Sequence, residues 1–247
     1  MGEESVLKAG AGRFEEAVWT AGSMTEAQFL AACELHHRAF ARPGRTLAEV
    51  MEKKRPVWMP GAGSGSDDGS SSGTGVGGGS MSLTPPRRHV VLAGRSLAED
   101  APAAGEMKGG QRGGLTAGQL LANAATLTRR VRTAGGERVV LGLLDVATDP
   151  ATRGRGWRLG EAVVRRAWAE LGQGGEGGAS VCLFQTGEAR GFYERLGARV
   201  VTNHFFNGTD AGAGAQTRSA FDEPHAMIYP ATADWPEGPV DLRGPGW

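Results

Sequence analysis

Between Arg153 and Arg158 the chain reads Arg-Gly-Arg-Gly-Trp-Arg, a run whose residue types suit an anion. It follows an apolar segment and precedes an amphipathic one, so it reads as a turn from strand to helix. Amides in such a turn point at one spot, and the helix dipole adds positive potential there. Gly154 and Gly156 leave the backbone bare for a phosphate to approach, while Arg153 and Arg155 add charge and donors. The bland alternative is an ordinary turn, because glycine-rich connections of this kind are common. Two phosphate cradles do not fit. GxxxxGK[ST] is absent, and GxGxxG fails because Leu159 stands where the third glycine is required.

Two further residues invite chemistry. Asp145 interrupts an apolar run, where burial would raise its pKa toward that of a general base; a hydrogen-bonded structural carboxylate is the competing reading. His204 could also accept a proton, but a lone histidine beside a hairpin is more often structural. Water can relay the proton as well, so no base is assigned.

The elements that must position these groups follow from pattern. Val139 to Thr148 is nearly all apolar and reads as a central strand buried on both faces. A helix is expected from Trp157 to Leu171, with Leu159, Val163, Ala167 and Leu171 on one face. Ser180 to Gln185 reads as a second buried strand, and a helix from Gly187 to Leu196 should stop at Gly197. Strands at Arg199–Phe206 and His225–Tyr229 complete this half. Upstream, Leu120–Thr133 joins Val139–Thr148 as a hairpin through Gly135-Gly136. His89–Gly94 reads as a short strand. Thr25–Lys54 is helical, with Phe29, Leu30, Cys33 and Phe40 at helical spacing. Pro43-Gly44 breaks it, and Thr46 with Glu49 forms a capping box for a second helix.

At this point the sequence resembles the Gcn5-related N-acetyltransferase (GNAT) superfamily. Its cofactor motif, Arg/Gln-x-x-Gly-x-Gly/Ala after a strand and opening a helix, is matched at Arg153 and Gly156, with Pro150 ahead. Arg158 stands where the family has a small residue. The segment Ala189-Arg190-Gly191-Phe192-Tyr193-Glu194-Arg195-Leu196-Gly197-Ala198 is similar to the family's A-x-x-[FL]-Y-x-x-x-G-[FA]. An Asn common seven residues before the tyrosine is replaced by Thr186. The likeness spans Val139 to Val201.

The resemblance implies a mixed α/β fold, with a central sheet splayed after its fourth strand and flanked by helices. Acetyl-CoA would be the cosubstrate, wedged in the opening. Main-chain groups at Val146 and Thr148 would hold pantetheine and thioester, and Arg153, Gly154, Arg155, Gly156, Trp157 and Arg158 the pyrophosphate. Tyr193, one of two tyrosines, would protonate the departing thiolate; otherwise it packs with Phe192. The acceptor would be an amine, of a small molecule or a protein. Residues 1–59 would supply the first strand and helices, 60–86 a disordered Gly/Ser-rich insertion, 87–230 the acetyltransferase core, and 231–247 a tail. That tail, Trp235 to Trp247, faintly resembles the Trp-terminated ends of aminoglycoside 2′-N-acetyltransferases, where a terminal carboxylate lies near the substrate. Trp247 could equally plug a groove. The rival functions are a CoA-binding sensor without turnover and a nucleotide-binding interaction module.

The bulk numbers set limits. Lys+Arg and Asp+Glu are both 27 in 247 residues, so no net field gathers nucleic acid or an anionic membrane. Cys33 and Cys182 make neither a disulfide framework nor a metal site. The acidic start, Met1 to Val6, lacks a signal peptide's apolar run, and no stretch approaches a membrane span, so a cytoplasmic protein is expected. A second flexible stretch is expected at Arg95–Gly114.

Overall fold

Both N-terminal helices begin where a side chain supplies the cap. In this computed structural model, which describes residues 13–41, 43–59, 82–94, 115–173, 178–209 and 217–247, Thr25 caps α1 (Glu26–Ala39). Gln28 N donates to Thr25 Oγ1 (3.2 Å) and Thr25 N to Gln28 Oε1 (2.9 Å). Thr46 and Glu49 exchange the matching pair, at 3.3 and 2.8 Å, before α2 (Leu47–Trp58). Each pair satisfies amides that lack an intrahelical acceptor.

The described residues form two compact units. The first gathers β1 (Phe14–Thr20), α1, α2, residues 87–93 of β2 (Ser82–Ala93), 120–126 of β3 (Leu120–Thr133), and 143–148 of β4 (Gly136–Thr148). A 3-10 turn at Pro150–Thr152 and α3 (Leu159–Trp168) complete it. Its strands run in the order β1-β2-β3-β4, and β1 lies antiparallel to β2 from Phe14↔Ala93 to Thr20↔Arg87. Ala32 and Leu35 of α1 pack with Val90, Leu120 and Ala147. Burying a side chain of leucine size contributes about 1.5–3 kcal/mol. The buried face of α1 is Phe29, Ala32, Cys33 and Leu35. Leu30 and Phe40, expected on it, are exposed, because Phe40 already closes the helix as its C-cap.

The second unit takes the other parts of β3 and β4 with β5 (Val181–Thr186), α4 (Arg190–Arg195), β6 (Arg199–Val201), β7 (Phe205–Phe206), β8 (His225–Tyr229) and β9 (Val240–Asp241). Its order is β3-β4-β5-β8-β6, with β9 against β3 and β7. β4 and β5 are parallel, from Val140↔Val181 to Gly142↔Leu183; β5 is antiparallel to β8 and β8 to β6. The pairing of β4 with β5 runs as far as Gly142↔Leu183. The fold is mixed α/β. Val131, Val140, Val181, Leu183, Phe205, Ile228 and Leu242 form the core of this unit.

Four expectations need correction. β2 starts at Ser82, inside the stretch 60–86 expected as an insertion. Pro85 and Pro86 lie before its ladder with β1, so their missing N–H groups cost that ladder nothing. Residues 60–81 and 95–114, expected to be flexible, lie outside the described residues. The strand expected at Arg199–Phe206 is two strands. Between them Asn203 Nδ2 donates to the carbonyls of Pro236 (2.9 Å) and Gly238 (2.7 Å), and Asn203 Oδ1 accepts from Trp235 Nε1 (2.8 Å). The helix expected at Trp157–Leu171 is shorter, because Arg158 is left-handed and Gly172 turns the chain at φ 78°. Finally, β4 is buried at Val140–Leu143 but only half-buried at Leu144–Val146. Asp145, at φ 53°, breaks the alternation there.

Candidate functional site

In the first unit, the loop after β4 is anchored by Asp149, a residue that the motif alone does not single out. Asp149 is buried. Its Oδ1 accepts from Ala151 N (2.9 Å), and its carbonyl accepts from Thr152 Oγ1 (2.7 Å), closing the turn that Pro150 begins. Its Oδ2 accepts from Arg38 Nη2 (3.1 Å) on α1 and from Gln119 Nε2 (3.3 Å). The Asp-Pro pair was the signal available in the sequence.

Beyond this anchor the chain turns through Gly154 (φ 74°) and Gly156 (φ 73°), where a Cβ would meet no atom within 4 Å. The left-handed conformation favours glycine, and the space beside both backbones is open. No side chain caps α3, so its first-turn amides face outward without an intrahelical acceptor. Such a turn, with bare backbone and free amides, suits an anion. Arg153 Nη2 donates to Ala39 O (3.4 Å). Arg155 Nε donates to Ala151 O (3.0 Å), and its guanidinium lies 5.0 Å from the Trp157 ring. Trp157 in turn meets Phe14 edge-on at 5.4 Å. Arg158 occupies the N-cap of α3 at φ 50° and pairs with Glu161, which Arg165 Nε also holds at 2.9 Å. The backbone thus keeps a glycine-like shape at the position where the motif has a small residue. Val146 and Thr148 are half-buried on β4.

Asp145 carries an ion cluster. Lys54 Nζ donates to Oδ1, Arg88 Nη2 donates to Oδ2 (3.0 Å), and Asn123 Nδ2 donates to its carbonyl. Burial alone would raise the carboxyl's pKa, but Lys54 and Arg88 hold it well below the usual carboxylate range. A carboxylate held that way is a poor proton acceptor, so the structural reading of Asp145 is the one that the geometry bears out. None of Lys54, Arg88 or Asn123 had drawn attention in the sequence. Only Asn123 carried a signal, as a polar residue inside the apolar run Leu120–Leu127; Lys54 and Arg88 sit among other charged residues.

In the second unit, Tyr193 lies on α4, with its ring 4.7 Å from Phe184 and 5.0 Å from Phe192. Gly197 (φ 97°) closes the turn after that helix. Burial pushes the phenol above its ordinary pKa, so it is protonated at neutral pH. Thr186 ends β5 as a buried residue. His204 is exposed and stacks on Phe206 at 6.1 Å. Trp247 lies flat on Gly142, where a Cβ would come within 2.7 Å of its ring, and its Nε1 donates to Leu183 O (3.1 Å). Arg129 covers the ring at 4.9 Å. Trp247 therefore fastens the tail, and the tail is ordered through Trp235 and β9.

Cys33 and Cys182 are buried and not joined in a disulfide. Among the described residues, no group of three or more His, Cys, Asp or Glu is placed to hold a metal, and no helix is long and apolar enough to cross a membrane.

No family model and no curated protein matches the sequence. Solved structures do resemble it. A GNAT-family N-acetyltransferase from Escherichia coli in complex with CoA is 13% identical, with a TM-score of 0.47 over 95% of this chain and 92% of that one. A GNAT-family acetyltransferase from Brucella melitensis in complex with acetyl-CoA is 16% identical, with a TM-score of 0.43 over 92% and 95%. A conserved Enterococcus faecalis protein of unknown function is 14% identical, with a TM-score of 0.44 over 75% of this chain but 32% of that one, so this chain spans about a third of it. The likeness is one of fold. Ligand binding is a matter for the geometry of the loop itself.

Proposed function

We propose that this chain is an acetyl-CoA-dependent N-acetyltransferase that transfers acetyl to an amine by direct attack. The observation that carries the reading is the Arg153–Arg158 loop. Two left-handed glycines open to solvent, an uncapped helix and flanking arginines together make an anion cradle after a strand. In that reading the loop holds the pyrophosphate of acetyl-CoA, and main-chain groups at Val146 and Thr148 hold pantetheine and thioester. A neutral amine attacks the thioester carbonyl, strand amides stabilise the oxyanion, and the thiolate leaves with a proton from Tyr193. The raised pKa of the phenol suits an acid that must stay protonated until sulfur departs. The acceptor is a primary amine of a small molecule or a protein.

Two measurements test the reading. Acetyl-CoA at ~100 times its dissociation constant should add about 2.7 kcal/mol of stability, seen as a rise in Tm that ATP or NAD does not reproduce. Thiol release across an amine panel should then find a turned-over acceptor. No shift at millimolar acetyl-CoA overturns the cofactor assignment. A shift without thiol release on any amine marks a CoA-binding sensor instead.

A further inference from the structure

The charges around Asp145 do not balance. Lys54 and Arg88 both bond to this one carboxylate, and Arg45 adds a third cation near the His36 ring. Arg88 is 2% exposed and stacks over Trp58 at 4.2 Å. Its Nη1 donates to Asn123 Oδ1 (2.9 Å), but its buried Nε has no partner among the described residues. His36, on α1, has its Nδ1 buried, without a hydrogen bond among the described residues and 3.8 Å from Asp145 Oδ1. Desolvation, and then Lys54, lower the imidazole's pKa to about 4, so it is neutral and adds no charge at neutral pH. Cys33 also faces the cluster; its thiol is pushed up to about 11 and stays neutral.

A buried cation without a counter-charge is costly, and so is a buried N–H without an acceptor. The arrangement is therefore short of one anion with oxygen acceptors. It is also within reach of one, because the side chains of His36, Lys54 and Asp145 keep 15%, 13% and 12% of their surface exposed. Lys54 has three donors, of which Asp145 engages one.

We propose that Lys54, Arg88 and His36 form an oxyanion-binding site in the first unit, filled by a carboxylate or phosphate carried by the amine acceptor. The proposal rests on the acetyltransferase reading for its occupant but not for the site. It narrows the acceptors to amines that also bear an acidic group, such as amino acids or phosphorylated amines.

The test is calorimetric titration of the full chain with inorganic sulfate, whose charge does not change near neutral pH. Saturable binding is expected, with the His36 titration midpoint, followed by NMR, moving upward as sulfate saturates. Lys54→Met keeps the Asp145–Arg88 pair and should weaken sulfate by about tenfold or more. Arg45→Gln, at a half-exposed position, should weaken it by a smaller factor and serves if Lys54→Met fails to fold. Gly156→Val should impair acetyl-CoA and any sulfate held at the loop, while the component of sulfate binding that Lys54→Met weakens persists. β-Alanine should displace sulfate and propylamine should not. Absence of saturable binding, or binding unaffected by both cluster variants but lost in Gly156→Val, overturns the site. Failure of β-alanine to compete overturns the assignment of the acceptor alone. Failure of acetyl-CoA to bind while sulfate still does leaves the site and removes the functional reading.

Discussion

A valine at Gly156 would face open space, so its effect can be divided into two parts. No protein atom lies within 4 Å of the new Cβ, and the folded state pays only for a β-branched residue at φ 73°, on the order of 1–2 kcal/mol. In the proposed reading, the pyrophosphate would meet the new methyl groups directly. Gly156→Val is expected to remain folded by circular dichroism and to lose acetyl-CoA affinity in calorimetry; unchanged affinity would show that the loop does not approach the cofactor. Tyr193→Phe asks a different question. Its ring packs on Phe184 and Phe192, and phenylalanine preserves that packing. Cofactor affinity should hold while kcat falls by ~10² to 10⁴-fold on a responsive amine, provided that thiolate departure limits turnover. An unchanged kcat with chemistry shown to be limiting would leave Tyr193 as a packing residue.

At the scale of elements, β4 carries the largest electrostatic stake. Asp145→Asn keeps a residue that tolerates a left-handed backbone but leaves Lys54 and Arg88 facing a neutral amide. Breaking a buried pair from one side costs about 3–5 kcal/mol, so urea unfolding should register a loss on that scale. A loss under about 1 kcal/mol would mean that water reaches the cluster freely. β4 also shows how far a sequence can be read. Its apolar run, the hairpin through Gly136 and the Thr46–Glu49 capping box of α2 were legible because each is a local pattern of a few residues. The glycine-rich turn at Arg153–Arg158 was legible for the same reason. The Asp145 cluster was not, since its partners come from α1, α2, β2 and β3 and share no spacing. The break between β6 and β7 was hidden likewise, because its cause is Asn203 reaching the carbonyls of Pro236 and Gly238, more than thirty residues away.

For the molecule as a whole, the pH dependence of stability follows from two groups with opposite chemistry. His36 has its folded pKa lowered to about 4 from 6.5, first by burial and then by Lys54. Between those values the unfolded chain binds a proton that the folded chain refuses, so stability falls as pH drops through this window. The loss should approach ~3 kcal/mol by pH 4. Asp145, depressed by Lys54 and Arg88 against the effect of burial, contributes stability above its unfolded pKa and loses it only in stronger acid. Thermal melting from pH 8 to pH 4 should therefore show a decline that His36→Gln flattens. An equal decline in the variant would assign the effect to other groups.

The anchoring of Asp149 has a bearing on transplantation. Its carboxylate is held by Arg38 and Gln119, which lie 111 and 30 residues away along the chain. The cradle is thus assembled by tertiary contacts and cannot be expected to survive excision. A peptide carrying β4, the loop and α3, or a graft of those residues onto a foreign scaffold, would keep the motif and forfeit the restraint on its entry. α1 must dock before the turn at Pro150 is pinned, so recovery of ligand binding should lag behind recovery of helical signal.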